Sequence, residues 1–503
     1  MPPVDASNST AIGPFSSAVQ MARAVRRREV SAAELLQMYL ARVQRFNPLF
    51  NAMPVLDEER ATQRARAADA ALAKGELWGP LHGVPITVKE SFNVAGLPTT
   101  YGLRAFAHNI AQQDAVTVQR LKAAGAVLFG KTNVPASLAD WQSFNPVYGT
   151  TRNPWDAGRT PGGSSGGSAA ALAAGMTALE LGGDIGASIR NPAHYCGVYG
   201  HKPSWGVVPL AGHELQPQIC ADDFDIAAAG PLARSAFDLS LAMDILTSPL
   251  SAMTPMGRLP LAWRERGTPP RQCRVAVMLD DDEAPVDLAL QQQLLNLVQF
   301  LRDEGVIVKE QVKPVASSEA HEVYIHLLRA ATGSHYDDSS FDAAQLRAKD
   351  CERADQGYPA RHFRGITSGY REWARVHQQR IGLQRQWAGF FEQFDFLICP
   401  VATTAAFEHN QEGERWDRMI PVQRAGGQVL QQPSTTALFW AGYPGVVGVP
   451  ACAVPLGLSP QGLPLGAQII GPIFGDPDVL RFAQWLESEY RGFVAPPLAG
   501  ADA

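Results

Sequence analysis

Short β-branched runs alternate with helical stretches through the first part of this 503-residue chain, and that alternation is what most narrows its fold. Residues 83–89 (Gly-Val-Pro-Ile-Thr-Val-Lys) read as a strand, 116–124 as a helix closed by Gly125, and 127–130 as the next strand. Strand, helix and strand in succession argue for an α/β architecture, a sheet covered by helices on both faces. Upstream, 31–46 spells an amphipathic helix. Ser31 and Glu34 form its capping box, Leu35, Leu36, Tyr39, Leu40 and Val43 share one face, and it is expected to end before Pro48. A more charged helix is expected over 57–74, closed by Gly75.

Residues 255–271 are rich in Pro and Arg and read as a connection into a later part of the same fold, not as a linker between independent domains. A strand-like run follows at 274–279, mostly polar helix at 317–394, and strand character returns at 396–400 and 446–455, which suggests that the C-terminal part adds to the same sheet. The organisation expected is one domain over 1–503, with N-terminal helices at 16–75 packed on the core and a more variable, mostly helical region at about 280–395.

Hydrophobic residues make up 46% of the chain and charged ones 18%, enough to bury a large core. The net charge is −6, and the one compact basic cluster, Arg26-Arg27-Arg28, suits a solvated helix face, so a nucleic-acid partner is disfavoured and a small substrate is expected. Six cysteines (Cys196, Cys220, Cys273, Cys351, Cys399, Cys452) are scattered without a C-x-x-C pair, which suits a reducing compartment. Residues 1–17 lack a basic and an apolar segment of the secretory kind, so a cytoplasmic location is expected. No apolar run reaches the roughly 18 to 20 residues that span a bilayer, so no membrane partner is expected. Residues 169–181 read instead as a buried helix followed by a strand.

Two stretches carry chemistry. Thr160-Pro161-Gly162-Gly163-Ser164-Ser165-Gly166-Gly167-Ser168 is a Gly/Ser loop feeding an Ala-rich helix. It fits anion binding at a helix N-terminus, a flexible connection, or a backbone geometry that only glycine tolerates while hydroxyls are presented. The second stretch, Gly182-Gly183-Asp184-Ile185-Gly186-Ala187-Ser188-Ile189-Arg190, puts Ser188 just beyond the carboxyl end of a strand, where open α/β sheets hold their ligands. Small residues there let successive amides converge on one point, as an oxyanion hole requires; the donors would be Ile185, Gly186, Ala187 and Ser188.

Both stretches, together with Gly83-Val84-Pro85-Ile86-Thr87-Val88-Lys89-Glu90, resemble blocks of the amidase signature family of serine hydrolases. The resemblance continues through Gly130-Lys131-Thr132-Asn133, Gly200-His201-Lys202-Pro203-Ser204 and Gly462-Leu463-Pro464-Leu465-Gly466, and is weakest between about 250 and 390. It implies a large mixed, twisted central sheet, and a relay in which Ser188 is the nucleophile, Ser164 the bridging serine after a cis peptide bond, and Lys89 the general base. The physical demand is independent of the family: a lysine near its ordinary pKa of about 10.4 is charged at neutral pH and cannot act as a base, so Lys89 must be kept neutral, by burial or a nearby positive field. No metal or cofactor is called for. Ser165 and Ser168 read as loop-holding or capping hydroxyls, Asp184 and Arg190 as an ion pair that shapes the loop, and His194 as structural. Ala187 stands where the family usually has Gly, at an amide that could want positive φ, and Asn191 and His201 replace residues commonly apolar.

Trp141, Phe144, Tyr148, Phe439, Trp440 and Tyr443 are candidates for lining a substrate pocket. The expected function is hydrolysis of a small acyl amide, with ester or carbamate also compatible, by a monomer or homodimer. Four alternatives compete, the first being a non-catalytic binding module that uses the Gly/Ser loop for a phosphate, against which stands the lack of a G-x-x-x-x-G-K-[ST] sequence. Gly162-Gly163-Ser164-Ser165-Gly166 also fits the G-x-S-x-G elbow of α/β-hydrolase esterases, but follows a loop instead of a strand. His321, Glu322 and His326 resemble a zinc motif with the second histidine one residue too far on. The amide-transferring component of a tRNA-linked amidotransferase has similar motifs, but needs partner subunits and a nucleic-acid surface.

Overall fold

The computed structural model describes residues 12–215, 224–248, 263, 265–351, 355 and 357–500. Residues 1–11, Cys220 and most of the 255–271 connection lie outside the described residues. Along the chain the strands are β1 (Val55–Leu56), β2 (Pro85–Lys89), β3 (Val127–Thr132), β4 (Phe144–Asn145), β5 (Gly149–Thr150), β6 (Leu179–Asp184), β7 (Tyr199–Lys202), β8 (Ala228–Ala233), β9 (Arg274–Val277), β10 (Ile307–Glu310), β11 (Phe396–Pro400), β12 (Met419–Gln423), β13 (Val429–Pro433), β14 (Ala451–Leu458) and β15 (Pro464–Ile470). The α-helices are α1 (Ala18–Arg26), α2 (Ala32–Phe50), α3 (Glu58–Ala73), α4 (Val116–Ala123), α5 (Gly166–Ala173), α6 (Arg190–Cys196), α7 (Ala236–Leu246), α8 (Leu288–Asp303), α9 (Ser317–Gly333), α10 (Asp338–Asp350), α11 (Tyr358–Ile366), α12 (Tyr370–Gln393), α13 (Leu438–Gly445) and α14 (Asp476–Glu489).

One 11-stranded sheet organises them, in the order β1-β3-β2-β6-β8-β7-β14-β15-β11-β9-β10. It is mixed: β2 runs parallel to β3 and β6, β8 pairs antiparallel with β6 and β7, and β15 antiparallel with β14 and β11. Every residue of β2, β6 and β8 is buried, the signature of strands covered on both faces, where side chains on either side meet packed helices. The strands β11, β14 and β15 join this same sheet, and α9 packs against α11, α12 and α13, with α10 against α11. Among the described residues no helix is long and apolar enough to cross a membrane.

Two local readings need correction. Helix α2 does not stop before Pro48 but runs to Phe50. Proline removes one backbone donor, a loss tolerated in a last turn, and Asn51 closes the helix in the left-handed region (φ 47°) with its N–H donated to Asn47 O at 2.7 Å. The strand expected from 446 starts only at Ala451, after the buried helix α13; a short apolar run reads alike for buried helix and buried strand.

In α13, Gly442 gives the ring of Tyr324 on α9 its place: a Cβ added at Gly442 would lie 2.1 Å from Tyr324 Cδ1. Gly442→Ala is therefore expected to cost about 1 to 3 kcal/mol of stability by overpacking. Urea unfolding checks it, with a lower midpoint at unchanged slope as the expected result.

Candidate active site

Lys89 ends β2, an interior strand of the sheet between β3 and β6, and is 1% exposed. Its Nζ donates to Ser164 Oγ at 2.7 Å and sits 3.4 Å from Gly183 O. Glycine at 183 leaves space that the lysine shares with His213: an added Cβ there would lie 3.2 Å from His213 Nε2 and 3.8 Å from Lys89 Nζ. Burial pushes the Lys89 ammonium down to about 7, against the raising fields of Asp184 and Glu90.

Ser164 is 2% exposed and follows a cis Gly163-Ser164 peptide bond, in the loop just before α5. Glycine at 163 is required by close approach, because a Cβ would fall 2.2 Å from Asp140 O. Ser165 occupies the N-cap of α5 but makes no side-chain capping bond; its Oγ is 3.4 Å from Gly183 O. Ser168 Oγ instead meets Thr132 Oγ1 of β3 at 2.8 Å. Ser188 lies in the turn between β6 and α6 and is 6% exposed. Among the described residues its hydroxyl makes no hydrogen bond with that of Ser164; the two segments are joined through backbone, Ser165 N–H donating to Ser188 O at 3.0 Å.

The turn around Ser188 is built on Asp184. Its carboxylate accepts from the N–H groups of Ala187 (2.9 Å) and Ile189 (3.1 Å), and from Nε and Nη2 of Arg190 (3.0 Å each). Burial alone would raise the pKa of Asp184, but Arg190 and these donors hold it below the usual carboxylate range. The Ala187 amide is thereby spent, which corrects the four-donor reading. Among the described residues the amides of Ile185, Gly186 and Ser188 donate to no protein acceptor. Ala187 takes φ +76°, the left-handed conformation that glycine adopts without strain.

Two side chains fix this turn from behind. Tyr324 of α9 donates to Ile185 O at 2.9 Å, and Trp141 Nε1 donates to Gly186 O at 2.9 Å. In a trans peptide the N–H points opposite to the C=O, so the pull of Tyr324 on Ile185 O turns the Gly186 N–H away from α9. Trp141 thus has a defined partner beside the site, and the Tyr148 hydroxyl meets Glu90 Oε1 at 3.2 Å. Phe144 lies beneath the Arg418 guanidinium. Phe439, Trp440 and Tyr443 do not form an open wall. All are at most 1% exposed, they pack on one another, and their polar atoms are used on Ala284 O (Trp440) and Val315 O (Tyr443).

Tyr324 and His213 were not legible as site residues, since neither belongs to a motif. His213 contacts Ser91 Oγ at 2.9 Å and Tyr101 Oη at 3.3 Å, and its ring meets the Phe92 ring edge-on at 4.6 Å. Burial first, then the Lys89 charge, push it down to about 3. His194 is buried between Thr404 O and the Gly466 backbone, and His321 and His326 diverge, one against Phe439 and the other to Ser368. Among the described residues no group of three or more His, Cys, Asp or Glu is placed to hold a metal.

Comparison with known proteins identifies the family. The Amidase family model matches residues 34–480. An acylamidase of Rhodococcus erythropolis is 31% identical, with 94% of this chain and 95% of that protein covered. A glutamyl-tRNA(Gln) amidotransferase subunit of Acidothermus cellulolyticus is 33% identical, covering 94% of each. The solved structure of 6-aminohexanoate cyclic dimer hydrolase with its substrate superposes with a TM-score of 0.78 at 26% identity, covering 97% of this chain and 100% of that one. The chain belongs to the amidase signature family of C–N hydrolases.

Proposed function

We propose that the protein hydrolyses a small acyl amide through a Ser188, Ser164 and Lys89 relay and an acyl-enzyme intermediate. The observation that carries this is the buried 2.7 Å contact between Lys89 and Ser164, made where burial brings the amine near neutrality at pH 7. Neutral Lys89 takes the proton of Ser164, Ser164 takes that of Ser188, and Ser188 Oγ attacks the acyl carbon. The oxygen that gains charge is held by the amides of Ile185, Gly186 and Ser188. The C–N bond then breaks, and the relay returns its proton to the leaving nitrogen. Water repeats the sequence on the acyl ester, releasing a carboxylic acid and restoring Ser188. Asp184, Arg190 and Ser165 hold the turn and the loop and do not react. Trp141, Tyr148 and Phe144 are proposed to border the substrate.

A second reading, the amide-supplying component of a tRNA-linked complex, is supported by the similarity to the Acidothermus amidotransferase protein. We favour a stand-alone monomer or homodimer, because the net charge of −6 and the lack of a long basic tract offer little to nucleic acid. Five free cysteines among the described residues are in keeping with a cytoplasmic location. Hydrolysis of simple amides by the purified chain, with its mass in solution, separates the two readings.

Ser188→Ala is expected to lower turnover of a simple amide by about 10⁴-fold or more. Lys89→Ala and Ser164→Ala are each expected to cost about 10³-fold, and the double variant little beyond either single one, because a relay fails as a unit. Fully additive losses in steady-state kinetics would reject a shared proton path.

The base must lose its proton to act, so kcat/KM is expected to rise with pH through about 7 and stay high above it. Facing Lys89 are Asp184 and Glu90, which favour its charge, and His213, which closes it from water. His213→Ala is expected to move the rise to higher pH, and His213→Phe, which keeps the volume, to leave it near its original position. A profile unmoved by the alanine would show that His213 does not shield the amine.

A further inference from the structure

A buried guanidinium almost always ends on an acid, because removing it from water without a counter-charge is strongly unfavourable. Arg329 of α9 does not. It is 6% exposed, donates to the Tyr358 hydroxyl and lies 5.6 Å from that ring's centroid, and its Nε is buried with no partner. Half-buried Arg415 is a second such cation. Its Nη1 donates to Ala139 O at 2.5 Å, and among the described residues it forms no ion pair. Asp140, which the Arg415 charge also reaches, is paired with Arg418 at 2.5 Å, and Glu414 is paired with Arg347 at 3.6 Å.

Between the two arginines lies His362, 3% exposed, with an unpartnered Nδ1 and Trp416 and Tyr358 against its ring. Burial, then the charges of Arg329, Arg415 and Arg347, hold that ring neutral. Two guanidinium groups without an ion-pair partner among the described residues are thus gathered beside aromatic rings.

The cluster is tied through the chain to both side chains that hold the turn carrying Ser188. Arg329 follows Tyr324 by about 7.5 Å along α9, and Tyr324 holds Ile185 O. Arg415 is anchored on Ala139, two residues before the Trp141 that holds Gly186 O.

We propose that Arg329 and Arg415, walled by Tyr358, His362 and Trp416, form a subsite for a carboxylate carried by the amide substrate, so that the enzyme prefers anionic amides to neutral ones of the same length. The guanidinium fork supplies paired N–H donors to a carboxylate, and the buried setting strengthens them. This assignment rests on the Ser188 relay.

The test uses two matched pairs: succinamate against pentanamide for a carboxylate on the acyl side, and N-butyryl-β-alanine against N-butylbutyramide for one on the leaving side. In the unmodified enzyme, kcat/KM is expected to favour the anion of at least one pair by about tenfold or more. Arg329→Met and, at the more exposed position, Arg415→Gln are each expected to cut that ratio by about tenfold, mainly through KM. Arg415→Gln decides the matter if Arg329→Met does not fold. Ratios near one in both pairs, or a ratio that neither arginine alters, would overturn the subsite. The Ser188 reading fails separately, if Ser188→Ala still turns over both members of a pair.

Discussion

The site depends on one buried carboxylate. Asp184 ends the strand β6, and its two oxygens gather the amides of Ala187 and Ile189 together with the Arg190 fork. Within this network Ala187 takes positive φ, and among the described residues the amides of Ile185, Gly186 and Ser188 have no protein acceptor. Backbone donors in a packed turn are rarely left unmet, and these three amides are what the proposed stabilisation of an oxyanion draws on. Arg190 carries the constraint further: its Nη1 reaches Ala441 O of α13 at 3.1 Å and Gln468 Oε1 of β15 at 2.8 Å, which locks the turn to the C-terminal part of the sheet. Breaking such a pair from one side strands the other charge in the core.

Much of this was legible in the residues. Alternating strand and helix patterns gave the α/β class, and the Gly/Ser loop, the small-residue turn and the strand ending in Lys89 were each visible as local chemistry. Ala187 was visible as a misfit, because a β-carbon stood at a position suited to glycine. What could not be read was which donor goes where. The Ala187 amide looked equivalent to its neighbours until Asp184 was seen to occupy it, since hydrogen-bond accounting is a property of three dimensions.

The remaining misses have the same physical origin. Phe439, Trp440 and Tyr443 are as aromatic as any pocket wall, yet whether a ring faces a cavity or the core depends on what helices α9 and α12 place against it. His213 and Tyr324 lie outside the motifs, and their importance comes only from the atoms they reach, the space beside Gly183 and the carbonyl of Ile185.

Tyr324 joins two parts of the chain that lie far apart in sequence. Lys89, Ser164 and Ser188 all come from the first 190 residues, whereas the hydroxyl behind the turn comes from the helical region of α9 to α12. A recombinant enzyme in which α9 is grafted from a relative would therefore inherit more than a new substrate wall. Without a donor at the place of Tyr324 the acceptor on Ile185 would be stranded, so specificity and turnover in this fold cannot be shuffled as independent modules.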